Sequence, residues 1–294
     1  MENTVNRESN DRLFKFIFGR NENREWTLSL YNAINGSSYT NPEDITITTV
    51  EDVLYLSMKN DVSFLIADTM NLYEQQSTYN PNMPIRMLLY SSMIYSKYIK
   101  EHEIYLYSQK LKKLPVPKLV TFYNGTRKME DKVVLKLSDS FDQGSDSDIE
   151  VRVQMLNINY GRNMELMEHC KPLFDYSLFV EAMRKLKEEG FPLGDAVHMA
   201  IRKLDESSPI REFLLAHEAE VKTLVLKEFD EKEDRDMCRE EGREEGREEG
   251  RAEGEDRLAR LMRKLLDQSR YEDASRASSD VEFRNKLYAE EGID

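Results

Sequence analysis

Asp61, Glu74 and Gln76 have the residue types and the spacing to build a site for a hard cation. Asp61 heads the apolar run NDVSFLIAD, in which Val62, Phe64, Leu65 and Ile66 read as a buried strand. A polar turn over Asp68–Asn71 follows, and then a second short run, Leu72–Gln76, that carries Glu74. Two such runs make a hairpin, which brings the start of one strand beside the end of the other. Asp61 and Glu74 are therefore expected close together at one end of a sheet. Side chains alternate along a strand, so Glu74 and Gln76 share a face and Gln75 points the other way. An acid, a turn and then acid-x-polar is a metal-site arrangement. Asp61 and Glu74 carry hard carboxylate oxygens of the kind that Mg²⁺ or Mn²⁺ takes. A cation held there lowers the pKa of its bound water. Gln76 orients such a water by hydrogen bond but cannot take its proton. Without their context, an Asp and a Glu 13 residues apart are ordinary surface acids.

The elements around this pair supply that context. Asp11–Ile34 keeps an apolar stripe and reads as a helix, or as two shorter ones parted at Gly19, with Asn10 or Asp11 as N-cap. Asp11 and Lys15 are four apart on it, spaced for a helix-surface ion pair. Gly36 is a natural stop. Ile45–Tyr55 alternates and is rich in β-branched residues, so it reads as a strand, with Glu51 and Asp52 on it or in a bulge. Ile85–Lys100 reads as a helix with Leu88, Leu89, Met93, Ile94 and Tyr95 inward; Arg86 and Tyr90 share one of its faces, as a packing pair or a phosphate contact. Lys118–Tyr123, Val133–Leu137 and Ile149–Leu156 are further strands, the first ending in the turn signal Asn124–Gly125. The loop bearing Asp142, Asp146 and Asp148 lacks the glycine and closing glutamate of a calcium loop. This order predicts an α/β core: a mixed sheet flanked by helices.

Several of these pieces together are similar to the PD-(D/E)XK nuclease superfamily. The segment EQQSTYNPNMPIRMLLY (74–90) resembles its branch of recombination-promoting nucleases, or putative transposases, as do DRLFKFIFG (11–19), FYNG (122–125), NINYGRN (157–163) and the EEGREEGREEGR tail. The resemblance implies a restriction-endonuclease-like fold and metal-dependent hydrolysis of DNA with little sequence preference. It implies catalytic roles for Asp61, Glu74 and Gln76, metal contacts from Asp61, Glu74 and Gln75, and accessory places for Asp11, Lys15, Arg86 and Tyr90. Asn60 stands where many members have proline, and Gln76 where most have a lysine, although this branch often has glutamine there. A catalytically inactive nuclease-fold module that binds or oligomerises is the rival expectation.

The chain divides by periodicity and charge into a core over 1–162, a helical extension over 163–230, a REEG-repeat connector over 231–257 and a small helical unit over 258–294. Of a net charge of −14, half lies in residues 231–294, which hold 14 basic and 21 acidic side chains. Lys110–Lys136 instead carries eight basic residues against Glu130 and Asp131. Local patches matter more than the sum, because salt screens charges beyond about 10 Å. No apolar run approaches the roughly 20 residues of a membrane span. The polar N-terminus and two distant cysteines, Cys170 and Cys238, lead to an expectation of a reduced, cytoplasmic setting. His169, His198 and His217 have no ligand spacing. DNA is the expected partner. The repeat places its glycines in a slowly turning stripe, which reads as a solvated connector or as a close helix–helix contact; a homo-oligomer, a dimer, is expected from the tail.

Overall fold

The computed structural model describes residues 13–48, 61–142, 147–227 and 257–293, together with Arg247 and Gly254. The chain forms two compact units, Met1–Glu228 and Phe229–Asp294. Asp11, Glu51, Asp52, Asp146 and nearly all of the REEG repeat lie outside the described residues.

In the first unit the apolar stripe makes two helices, α1 (Leu13–Phe18) and α2 (Arg24–Asn35). Helix ends leave carbonyls unsatisfied. Here Asn23 Nδ2 donates to the Ile17 carbonyl at 2.9 Å and Thr27 Oγ1 to that of Phe18 at 2.6 Å, so the chain turns at Gly19 without exposing them. α2 stops at Gly36, whose φ of 61° lets its N–H reach back to the Asn32 carbonyl.

Six strands follow: β1 (Thr46–Ile47), β2 (Val62–Ile66), β3 (Thr69–Gln76), β4 (Val116–Tyr123), β5 (Lys132–Lys136) and β6 (Arg152–Asn157). They form one mixed sheet in the order β1-β2-β3-β4-β6-β5. β2 and β3 are the expected hairpin, but the turn is tighter than its polar residues imply. Ile66 pairs with Thr69, leaving only Ala67 and Asp68 as the loop, with Ala67 at φ 48°. Thr69 and Asn71 belong to the strand, where Asn71 is buried and donates to Thr69 Oγ1 at 3.2 Å. β3, β4 and β6 run parallel, so Gln76, Tyr123 and Asn157 end side by side.

One sheet face is covered by α3 (Met83–Glu101). Met83, Met87, Tyr90 and Ile94 of α3 pack there against Met70, Leu72, Tyr123, Val153 and Met155. The buried face of α3 is thus not centred on Leu88 and Leu89, which are half-buried, while Ile85 is exposed. The other face carries an aromatic layer. Phe14 meets Phe122 at 5.0 Å and Tyr176 at 5.6 Å, and Tyr73 lies edge-on to Phe64 and Phe122. Each ring buried in this way contributes about 1.5–3 kcal/mol.

Tyr176 belongs to α5 (Lys171–Glu188), which follows α4 (Met164–His169); Pro172 sits in its first turn. Cys170, at the joint of the two helices, is a fully buried free thiol 3.6 Å from Ser29 Oγ of α2. α6 (Leu193–Arg202), α7 (Arg211–Ala216) and helical residues 218–227 complete the first unit. His198 Nδ1 lies 3.0 Å from the Glu218 carboxylate and His217 stacks near Phe213, both local packing roles. The residues from 163 to 227, set apart in the sequence by their helical period, therefore belong to the same compact unit as the sheet.

In the second unit, helical residues 257–267 and the helices Tyr271–Ser279 and Val281–Glu291 enclose Leu261, Leu265, Ala274, Ala277, Leu287 and Tyr288. Among the described residues no helix is long and apolar enough to cross a membrane.

Candidate active site

The hairpin register decides where the two carboxylates meet. Val62 pairs with Tyr73, so the next step along the ladder sets Asp61 opposite Glu74. Alternation puts both on the face that looks at α3, and both are buried. Asp61 Oδ2 accepts the Gln75 backbone N–H at 2.6 Å. In a strand the N–H and C=O of one residue point the same way, so the Gln75 carbonyl also faces the Asp61 edge.

α3 brings two further side chains to the pair. Arg86 Nη2 lies 2.5 Å from Glu74 Oε1 and donates to the Tyr90 hydroxyl at 2.8 Å. Burial first, and then the Glu74 charge, hold the Tyr90 phenol at about 12, opposed by Arg86. Tyr90 is therefore a neutral hydroxyl at any working pH. Gln76 also faces α3: its Nε2 sits 2.8 Å from Met83 Sδ, and its buried Oε1 has no hydrogen-bond partner among the described residues.

Asp61, Glu74, Gln76, Arg86 and Tyr90 thus come together on one face. The Gln75 side chain does not join them. It crosses to the aromatic side and donates to Asn124 Oδ1 at 2.7 Å, as alternation requires. Lys15 lies at the end of α1. A side chain built on Gly19 would touch both Lys15 Cγ and Val62 Cγ2, so this end of the helix abuts the strand residue after Asp61. Compared with protein-family models, curated proteins and solved structures, the chain matches none.

The donor set fits a hard divalent cation: two carboxylates, a nearby strand carbonyl and an unsatisfied amide oxygen are all oxygen ligands. Three acids are not gathered, for among the described residues no cluster of three or more His, Cys, Asp or Glu side chains occurs. Negative charge is correspondingly low, and Arg86 balances it.

Behind the site lies a polar network that the sequence reading did not identify. Asn124 Nδ2 reaches the Tyr176 hydroxyl at 3.4 Å, Arg184 donates to the Asn124 carbonyl, and Arg184 Nη1 donates to Asn159 Oδ1 at 3.0 Å. Asn159 in turn donates to the Gly125 carbonyl at 3.1 Å and to Asn157 Oδ1 at 2.9 Å. This chain ties the ends of β4 and β6 to α5 and, through Gln75, to the strand bearing Glu74. The signal for it is the run of asparagines at the ends of otherwise apolar strands. At the rim the Arg127 guanidinium stacks over the Tyr79 ring at 4.3 Å and adds a cation close to the Gln76 end of β3.

Proposed function

We propose that the chain is a metal-dependent DNA endonuclease of low sequence specificity, built on a restriction-endonuclease-like sheet. The observation that carries this reading is Asp61 opposite Glu74 on one buried face, with the unsatisfied Gln76 oxygen two residues along the same strand. The motif resemblance supports it, as does the position at the carboxyl ends of parallel strands, where α/β sheets commonly bind ligands.

Asp61 and Glu74 would hold the cation, with the Gln75 carbonyl alongside. Bound Mg²⁺ or Mn²⁺ supplies Lewis-acid polarisation of the phosphate and a more acidic water. Gln76 Oε1 would accept a hydrogen bond from such a water and orient it, without the positive charge a lysine would bring. Arg86 and Arg127 supply that charge instead, since a guanidinium binds phosphate oxygens in a fixed fork. Tyr90, neutral, donates to a phosphate oxygen.

The Arg86–Glu74 ion pair favours a second reading, a nuclease-fold module that binds without cutting, because it balances the Glu74 charge through Oε1 with no metal present. Nicking of a supercoiled plasmid separates the two. With Mg²⁺ or Mn²⁺ the wild-type chain is expected to nick, and Asp61→Asn and Glu74→Gln, which keep shape and hydrogen bonding, to lose at least about a hundredfold in rate. No cleavage by the wild type with either metal, or cleavage indifferent to both changes, would leave the binding module. The expected dimer rests on the REEG repeat, of which only Arg247 and Gly254 are described.

A further inference from the structure

Residues 104–129 contain no acidic side chain and six basic ones, Lys110, Lys112, Lys113, Lys118, Arg127 and Lys128, in a chain of net charge −14. The first half of this stretch connects α3 to β4 and turns apolar groups outward. Tyr105 is 65% exposed, Tyr107 88% and Leu111 92%, and the two tyrosine rings lie 5.8 Å apart. The connection is tied down at both ends. The Ile104 N–H donates to the Ile99 carbonyl at 2.9 Å, and the Val116 N–H to that of Asp68 at 2.7 Å. The Tyr95 hydroxyl donates to the Pro115 carbonyl at 2.6 Å. Anchored apolar rings left in water and followed at once by lysines mark an interaction surface.

We propose that this connection binds single-stranded DNA, an inference that rests on the endonuclease reading and specifies the form of its substrate. Bases stack on Tyr105 and Tyr107 while Lys110, Lys112, Lys113 and Lys118 meet the phosphates, the pairing of stacking platform and cationic track that single strands require. Duplex bases are already stacked on one another and offer no free face to these rings. The strand β4 runs directly from this surface to Asn124 at the candidate site, where Arg127 and Lys128 continue the positive charge. Its eight residues span about 25 Å, within the reach of a strand occupying roughly 4–16 nucleotides. A membrane surface would make no use of that continuity. The cleft beside the connection includes Asp44 and Asp68 with Lys113 in its lining, so its carboxylates leave the outer face as the path for an anion.

The test is fluorescence anisotropy of a labelled oligothymidylate of about 12 nucleotides, titrated with the full chain in EDTA so that nothing is cut. The expected results are binding by the wild type, and at least about tenfold weaker binding by Tyr105→Ala/Tyr107→Ala. Tyr105→Phe/Tyr107→Phe, which keeps the rings, should bind as the wild type does. Lys110→Ala/Lys112→Ala/Lys113→Ala should lower the slope of log affinity against log salt by about 2. All these side chains are at the surface, and circular dichroism checks each fold. No binding by the wild type, unchanged binding by the alanine pair, or equal affinity for the matching duplex would overturn the proposal. So would loss of capture by phosphatidylserine vesicles in the same variants without any effect on the oligonucleotide. The readout is independent of catalysis: binding with these dependences in a chain that never nicks plasmid supports the surface and retires the endonuclease reading alone.

Discussion

Arg86 sets the electrostatics of the candidate site. It lies 2.5 Å from a carboxylate that is almost wholly buried, and in the same turn of helix holds the Tyr90 hydroxyl. Removing one partner of a buried ion pair costs more than the pair is worth, because the other charge stays in a poor solvent. Arg86→Met is therefore expected to lower stability by about 3 kcal/mol, the low end for such pairs because the guanidinium is partly exposed. Arg86→Met/Glu74→Gln should recover more than half of that loss in urea unfolding. Strictly additive losses would show that the two side chains do not act as a pair. None of this was legible in the sequence beyond the spacing of Arg86 and Tyr90. The pair joins a strand to a helix 12 residues on, and only the packing of α3 across the sheet brings Arg86 to Glu74.

At the level of elements, the hairpin was readable because β2 is an uninterrupted apolar run with an acid at its head, and the facing of Glu74, Gln75 and Gln76 followed from alternation. The turn was misplaced because Asp68 and Asn71 are turn-forming types, yet Asn71 satisfies its amide locally inside the strand. The inward face of α3 was misjudged for a different reason. Apolar residues surround most of that helix, and the choice among them falls to Tyr90 and Met83, which approach the carboxylates and Gln76. The end of β4 shows how closely its neighbours approach. A Cβ on Gly125 would lie 2.1 Å from the Ser77 carbonyl oxygen and 2.6 Å from the Tyr123 hydroxyl. Gly125→Ala must push apart the chain segments just beyond β3 and β4, at a cost of about 3 kcal/mol. Gly36→Ala meets open space and pays only for its positive φ, about 1 kcal/mol. Comparable shifts of the urea midpoint in the two variants would contradict this account of the strand ends.

The whole molecule divides at residue 228, and each unit has its own buried core. A chain ending at Glu228 is accordingly expected to unfold cooperatively and to keep the near-ultraviolet signal of Trp26, and loss of that signal on truncation would show that the first unit needs the second. The sequence places a division within two residues of this one, at 230, but also sets 163–230 apart from the sheet, because α4 and α5 change period from the strands. Period reports the local element, however, and not where its apolar side packs: Tyr176 of α5 closes the aromatic layer under the sheet. The joint between those helices also makes the fold a proton acceptor. Burial pushes the Cys170 thiol from 9.0 up to about 11, so the folded chain keeps a proton that the unfolded chain surrenders earlier. This contribution to stability, about 3 kcal/mol, is complete below pH 9 and drains away as the pH climbs to about 11. Base draws that proton into solution and loosens the fold by this one thiol's share; Cys170→Ala should flatten part of the fall in stability over this interval.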